Sequence, residues 1–209
     1  MEQNKIKFGD PGPALTFIFT MLTMCIWGVY AGIYTGPTSL ALGLGQLACF
    51  IPYLICSVVF YLRGETMMAS ICLIFATLFG GVGGLLSIAE GISQIYGFGM
   101  SSQLGAIPFF WGAVSLVPLL ITIRKTASAV SFLCFSCVVI FLTLITLVSF
   151  GLIPEVANII IKWLCLFVAL SGLYTFLNSL LRSSGCKCMP EGKPLFREGF
   201  VTEEHSKSI

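Results

Sequence analysis

The side chains able to do chemistry in this sequence are mostly hydroxyls, thiols and aromatic rings, and few of them are charged. Ser and Thr recur inside long apolar stretches, among them Thr16, Thr20, Thr23, Ser131 and Thr175. Such hydroxyls either line a polar path or bond to the backbone of their own helix. Seven of the nine cysteines (Cys25, Cys49, Cys56, Cys72, Cys134, Cys137 and Cys165) also lie in apolar stretches, where a thiol behaves as a small hydrophobe. Cys186 and Cys188 stand apart, separated by one lysine. They are either sites of reversible acylation beside a membrane or plain thiols. The single histidine, His205, is far from them in sequence, so no metal set and no cofactor is expected. No HExxH sequence, carboxylate pair or histidine occurs in an apolar stretch, and an enzyme is not expected. Lys162, next to Trp163, is either a lysine reaching for lipid headgroups or an attractor of anions at an outer mouth.

The elements that must position these groups follow from composition. The chain has 209 residues, 57% hydrophobic and 10% charged, with a mean hydropathy of +0.99. Soluble domains carry about 25% charged residues, so this chain has too little charge for a water-facing surface. An all-α, multi-pass protein of the cell membrane is expected. The net charge of +2 and the lack of a basic run exclude a nucleic-acid partner. Six apolar stretches, each about the ~20 residues a bilayer needs, are Ala14–Tyr34, Ser39–Leu62, Met67–Ala89, Ala106–Ile123, Ala129–Leu152 and Asn158–Leu181. Residues 1–13 form a polar head, 14–181 the membrane domain and 182–209 a polar tail. The first stretch is too long for a signal-peptide core and lacks a clear cleavage site, so no leader is expected.

Ten of the eleven basic residues fall on one side of a six-span arrangement; the eleventh is Lys162. Positive charge stays cytoplasmic, so both termini are expected in the cytoplasm. Span three carries Gly80-Gly81 and Gly83-Gly84, and span four carries Pro108 and Pro118, residues that let helices approach closely or bend. A polar loop is expected from Glu90 to Gly105. Near mid-membrane there is no ionised side chain to relay protons, which leaves a path lined by hydroxyls, backbone and aromatic rings.

Asp10-Pro11-Gly12-Pro13 at the head of span one resembles the opening motif of the acetate/succinate permease family. Arg63-Gly64-Glu65-Thr66, Trp111-Gly112, Ser131-Phe132 with Phe135-Ser136, Trp163-Leu164-Cys165-Leu166 and Ser171-Gly172-Leu173-Tyr174 are similar in order and spacing, so the resemblance covers about residues 8–192. It implies a six-helix protomer, a homohexamer, and one path per protomer for acetate or related short carboxylates. It also implies a hydrophobic constriction at Phe19, Phe75 and Cys137, an apolar neck that breaks the water column, and places Tyr53 on the solute path. Asp10 replaces the motif's asparagine, Phe75 a tyrosine, Cys137 a leucine and Tyr53 a glutamine. The expected function is therefore transport or channelling of a short carboxylate, with or without coupling to protons. Two alternatives stay open: a channel for a small neutral solute such as urea or an amide, and a non-transporting membrane scaffold.

Overall fold

The computed structural model describes residues 9–34, 37–99, 103–125, 127–186 and 189–195. Helix α1 (Gly12–Tyr30) begins directly behind Pro11 and carries Pro13 in its first turn, where a missing N–H costs no hydrogen bond. The Asp10 carboxylate accepts the Gly12 N–H at 3.0 Å. Helix α2 (Thr38–Leu62) follows and ends in a turn at Gly64, whose φ of 81° favours glycine.

The third span is built of three parts, α3 (Thr66–Phe75), a π-helical segment (Ala76–Val82) and α4 (Gly83–Tyr96). Then come α5 (Gln103–Ile123), α6 (Ala129–Ser149) and, after a 3-10 turn at Glu155–Ala157, α7 (Asn158–Ser183). Ser128 caps α6 by accepting the Ser131 N–H at 3.2 Å. Among the described residues there is no strand. Six helices are long and apolar enough to cross a membrane, in agreement with the six apolar stretches of the sequence.

Two differences from the sequence reading concern span three. The polar segment expected to start at Glu90 is helical up to Tyr96, so Glu90 and Gln94 belong to the helix and the connection is short. Gly91 allows this continuation, because its backbone lies against Leu40 of α2, where a Cβ would come within 2.5 Å of the Leu40 nitrogen. The π segment was not foreseen. Its wider turn carries an i→i+5 hydrogen-bond pattern, which shifts the facing of everything beyond it.

Successive spans run antiparallel. Asp10 at the start of α1 meets Arg63 at the end of α2 at 3.9 Å. Thr122 near the end of α5 donates to Met67 Sδ at the start of α3 at 3.2 Å. The ends carrying Arg63, Arg124 and Arg182 therefore share one side, here the basic end. The closest packing is between α2 and span three. A Cβ on Gly80 would lie 2.8 Å from Phe50 Cα, and one on Gly84 would lie 2.9 Å from the Leu47 nitrogen. Lipid tails are as apolar as leucine, so helices associate in a bilayer through such close van der Waals fit and through polar contacts. Ser57 Oγ supplies one, donating across to the Ala69 carbonyl at 2.8 Å.

At the basic end a short segment after α7 folds back over the helix ends. Asn178, only 1% exposed, accepts the Met189 N–H at 2.7 Å and donates to the Glu191 carboxylate. Tyr174 donates its hydroxyl to the Pro190 carbonyl at 2.7 Å, and the Val130 N–H of α6 donates to Glu191 O at 3.3 Å. This strap ties the start of α6 to the end of α7. Cys186 is exposed, and Cys188, the other thiol of the pair read as either acylated or plain, lies outside the described residues, as does His205.

Candidate functional site

The middle of the bundle is an aromatic cluster. Phe75 closes α3 and Phe79 lies in the π segment four residues later, and their rings stack with centroids 5.0 Å apart. Phe19 of α1 meets Phe75 edge-on at 6.1 Å. Tyr53 of α2 stacks on the other side of Phe75 at 6.1 Å, with the planes 17° apart. Phe109 of α5 extends the row, 5.8 Å from Phe79. Offset and edge-on ring pairs of this kind are attractive beyond their contact area, which holds the cluster together across four spans.

Two cavities flank these rings. Toward the basic end lies one of about 210 Å³, lined by the first turns of α1 and α3, the start of α6 and the later half of α7. Gly12, Thr16, Met68, Cys134 and Thr175 belong to its wall. On the other side is a void of about 20 Å³, lined by Leu22, Thr23, Gln46, Phe79, Val138, Phe141 and Leu142 among others. Phe19, Tyr53 and Phe75 line both. They form the neck.

Most hydroxyls in the spans are already used. Thr16, Thr20 and Thr23 each donate to the carbonyl four residues earlier in α1 at 2.8–2.9 Å, and Thr175 does the same in α7 at 3.0 Å. Among the described residues, Tyr53 is a buried hydroxyl that is not used in this way. Its side chain is 1% exposed, and its hydroxyl has no hydrogen-bond partner, a state that costs free energy in an apolar interior.

Phe19, Phe75 and Tyr53 are thus brought together. Cys137 is not in the wall of either cavity; it is half-buried and packs at the edge of the core. Its neighbours Cys134 and Val138 line the larger and smaller cavity respectively. One residue along a helix turns the side chain by about 100°, which is the size of the discrepancy. Pro11 and Pro13 set the start of α1, while Gly12 between them faces the larger cavity. Asp10 is exposed and points to Gly12 and Arg63. The same Arg63 donates to Glu65 at 2.7 Å. Lys162 lies away from both cavities, its ammonium 5.7 Å from the Trp163 ring centroid. Gln46 and Phe79 were missed by sequence reasoning. Gln46 was visible as a lone amide in an apolar span, seven residues before Tyr53.

Six apolar spans around a neck with a chamber on each side define an all-helical, multi-pass membrane protein. No family model matches the chain. It is similar, at 29% identity over 144 residues, to a protein of Desulfitobacterium hafniense (strain Y51) described as a probable glycine betaine transporter. The matched stretch covers 63% of this chain and 27% of that protein. The chain therefore spans about a quarter of its relative's length.

Proposed function

We propose that this protein is a transporter or channel of the cell membrane for a short carboxylate such as acetate, and not an enzyme. The observation that carries the reading is the neck: Phe19, Tyr53 and Phe75 lie between a chamber of about 210 Å³ and a void of about 20 Å³ and line both. An apolar constriction of this kind holds back hydrated ions. The solute must shed water to pass, which favours a small acid in its neutral form and gives a route to proton coupling without any buried carboxylate. The similarity to a probable glycine betaine transporter supports the reading, since glycine betaine is itself a short carboxylate. So does the resemblance of the Asp10-Pro11-Gly12-Pro13 head and the colinear motifs to the acetate/succinate permeases. In this reading the basic end faces the cytoplasm, six protomers assemble into a hexamer, and Lys162 draws anions to the outer mouth.

The test is uptake of labelled acetate into proteoliposomes holding the purified protein, with and without an inward proton gradient. Uptake above that of empty vesicles, suppressed by competing short carboxylates, is the expected result. A second reading, a channel for a small neutral solute, is favoured by one observation: no Lys, Arg or His is among the residues lining either cavity. Flux of urea or acetamide that ignores pH and membrane potential would establish that reading in place of the first.

A further inference from the structure

We propose that Gln46 and Tyr53 form a binding station for a carboxylate oxygen on the far side of the neck. The proposal rests on the carboxylate reading above and names the groups that recognise the solute. Gln46 lies within the apolar part of α2 and is 2% exposed. A polar amide is placed there only at a cost. Seven residues are close to two full helical turns, so Gln46 and Tyr53 share one face of α2, and both line the small void.

The hydrogen bonds around Gln46 give the station its sign. Ser87 of α4 donates its hydroxyl to Gln46 Oε1 at 2.9 Å. This turns the amide oxygen toward Ser87 and fixes the side chain from the neighbouring span. The Tyr53 hydroxyl is unpartnered. Thr23, the other polar residue of the wall, has spent its proton on the Phe19 carbonyl at 2.9 Å. The groups at the void able to donate are the Gln46 NH₂ and the Tyr53 hydroxyl, and the rest of the wall is hydrocarbon or ring. A void of about 20 Å³ holds roughly one water, and a carboxylate oxygen is of similar size. The station accepts that oxygen while the remainder of a short acid still lies between the rings of Phe19 and Phe75. It discriminates against protonated and quaternary ammonium heads, which offer no acceptor.

The experiment uses the full chain, wild type and three variants, Gln46→Leu, Gln46→Glu and Tyr53→Phe, each first checked for a monodisperse, folded state. Concentration dependence of acetate uptake into proteoliposomes is measured beside the acetate-induced shift in thermal unfolding of the detergent-solubilised protein. Gln46→Leu is expected to raise the KM about tenfold, the loss of roughly one good hydrogen bond, and to remove the thermal shift. Gln46→Glu is expected to raise the KM in a pH-dependent way, because only the protonated carboxyl can donate a hydrogen bond. Tyr53→Phe should raise the KM as well. Wild-type uptake that Gln46→Leu leaves unchanged, in both KM and thermal shift, overturns the station and spares the transport reading. A wild-type thermal shift that Gln46→Leu abolishes, in a protein showing no uptake, supports the station and overturns transport. Neither uptake nor shift in the wild type overturns both.

Discussion

The two sides of the neck share three residues and little else. Toward the basic end, the rings look onto a chamber of about 210 Å³ whose hydroxyls at Thr16 and Thr175 are bound to their own helices. On the other side they look onto a void of about 20 Å³, closed by Phe79, Phe141 and Leu142, with the Gln46 amide in its wall. The larger chamber is lined by large and small side chains together, Gly12 and Gly172 among the small. The smaller one is what bulky residues leave when they meet in the middle of a bundle. The difference teaches where the barrier lies. On the proposed transport reading, a solute from the basic end would reach the rings through space that already exists, whereas beyond them it would have to displace packed side chains.

Breaking the rings should have the largest effect. Phe75→Ala removes the ring that contacts Phe19, Tyr53 and Phe79 and joins the two chambers. Passive ion leak in proteoliposomes is expected to rise by about tenfold or more, the consequence of a barrier lowered by ~1.4 kcal/mol. An unchanged leak would place the barrier elsewhere. Next comes a difference in reach. In a background with the other cysteines replaced, Cys134 in the larger chamber should react with a polar thiol reagent from the basic side. A cysteine substituted at Val138, in the wall of the void, should stay unreacted until Phe75 is also removed. Equal labelling of the two positions would erase the distinction between chambers.

Tyr53→Phe sharpens the comparison from the polar side. Uptake is expected to fall severalfold, yet the melting temperature should hold or rise, because deleting an unpartnered buried hydroxyl relieves a penalty of about 1–3 kcal/mol. A drop in melting temperature would mean the hydroxyl has a structural partner. Lys162→Gln is expected to slow uptake modestly at low ionic strength, an effect that added salt removes. Smallest of all is Thr175→Val. Its hydroxyl is already committed to the Ser171 carbonyl at 3.0 Å, so transport should not change, and a clear loss would give that hydroxyl a role in the path.

How much of this was readable in advance depended on the kind of pattern involved. Apolar stretches broken by charges and glycines locate spans because the bilayer tolerates little else, and all six emerged, although span three runs on to Tyr96 and the first helix stops at Tyr30. Facing around a helix is harder, since an error of one residue is about 100°. That is how Cys137 was assigned a place that Cys134 and Val138 share. Span three resisted for two reasons. Its π segment alters the period on which facing arguments depend, and the polar look of Glu90 and Gln94 suggested a loop where Gly91 packing on Leu40 keeps a helix. Gln46 was legible as a residue but not as a site, because only the fold brings Ser87 to its carbonyl oxygen.

The glycine contacts between α2 and span three have a mechanical consequence. Where Gly43, Gly80, Gly84 and Gly91 bring the two backbones together, no side chain lies between them to swing or compress. The pair behaves as a stator. Tyr53 and Phe75, one on each member, keep their mutual distance whatever the rest does. The gap they form with Phe19 is then set by the position of α1, whose principal neighbour is α7, the helix held at its end by the strap through Tyr174 and Asn178. On the transport reading proposed above, opening would fall to α1 and α7, with the strap at the end of α7 limiting how far they could move.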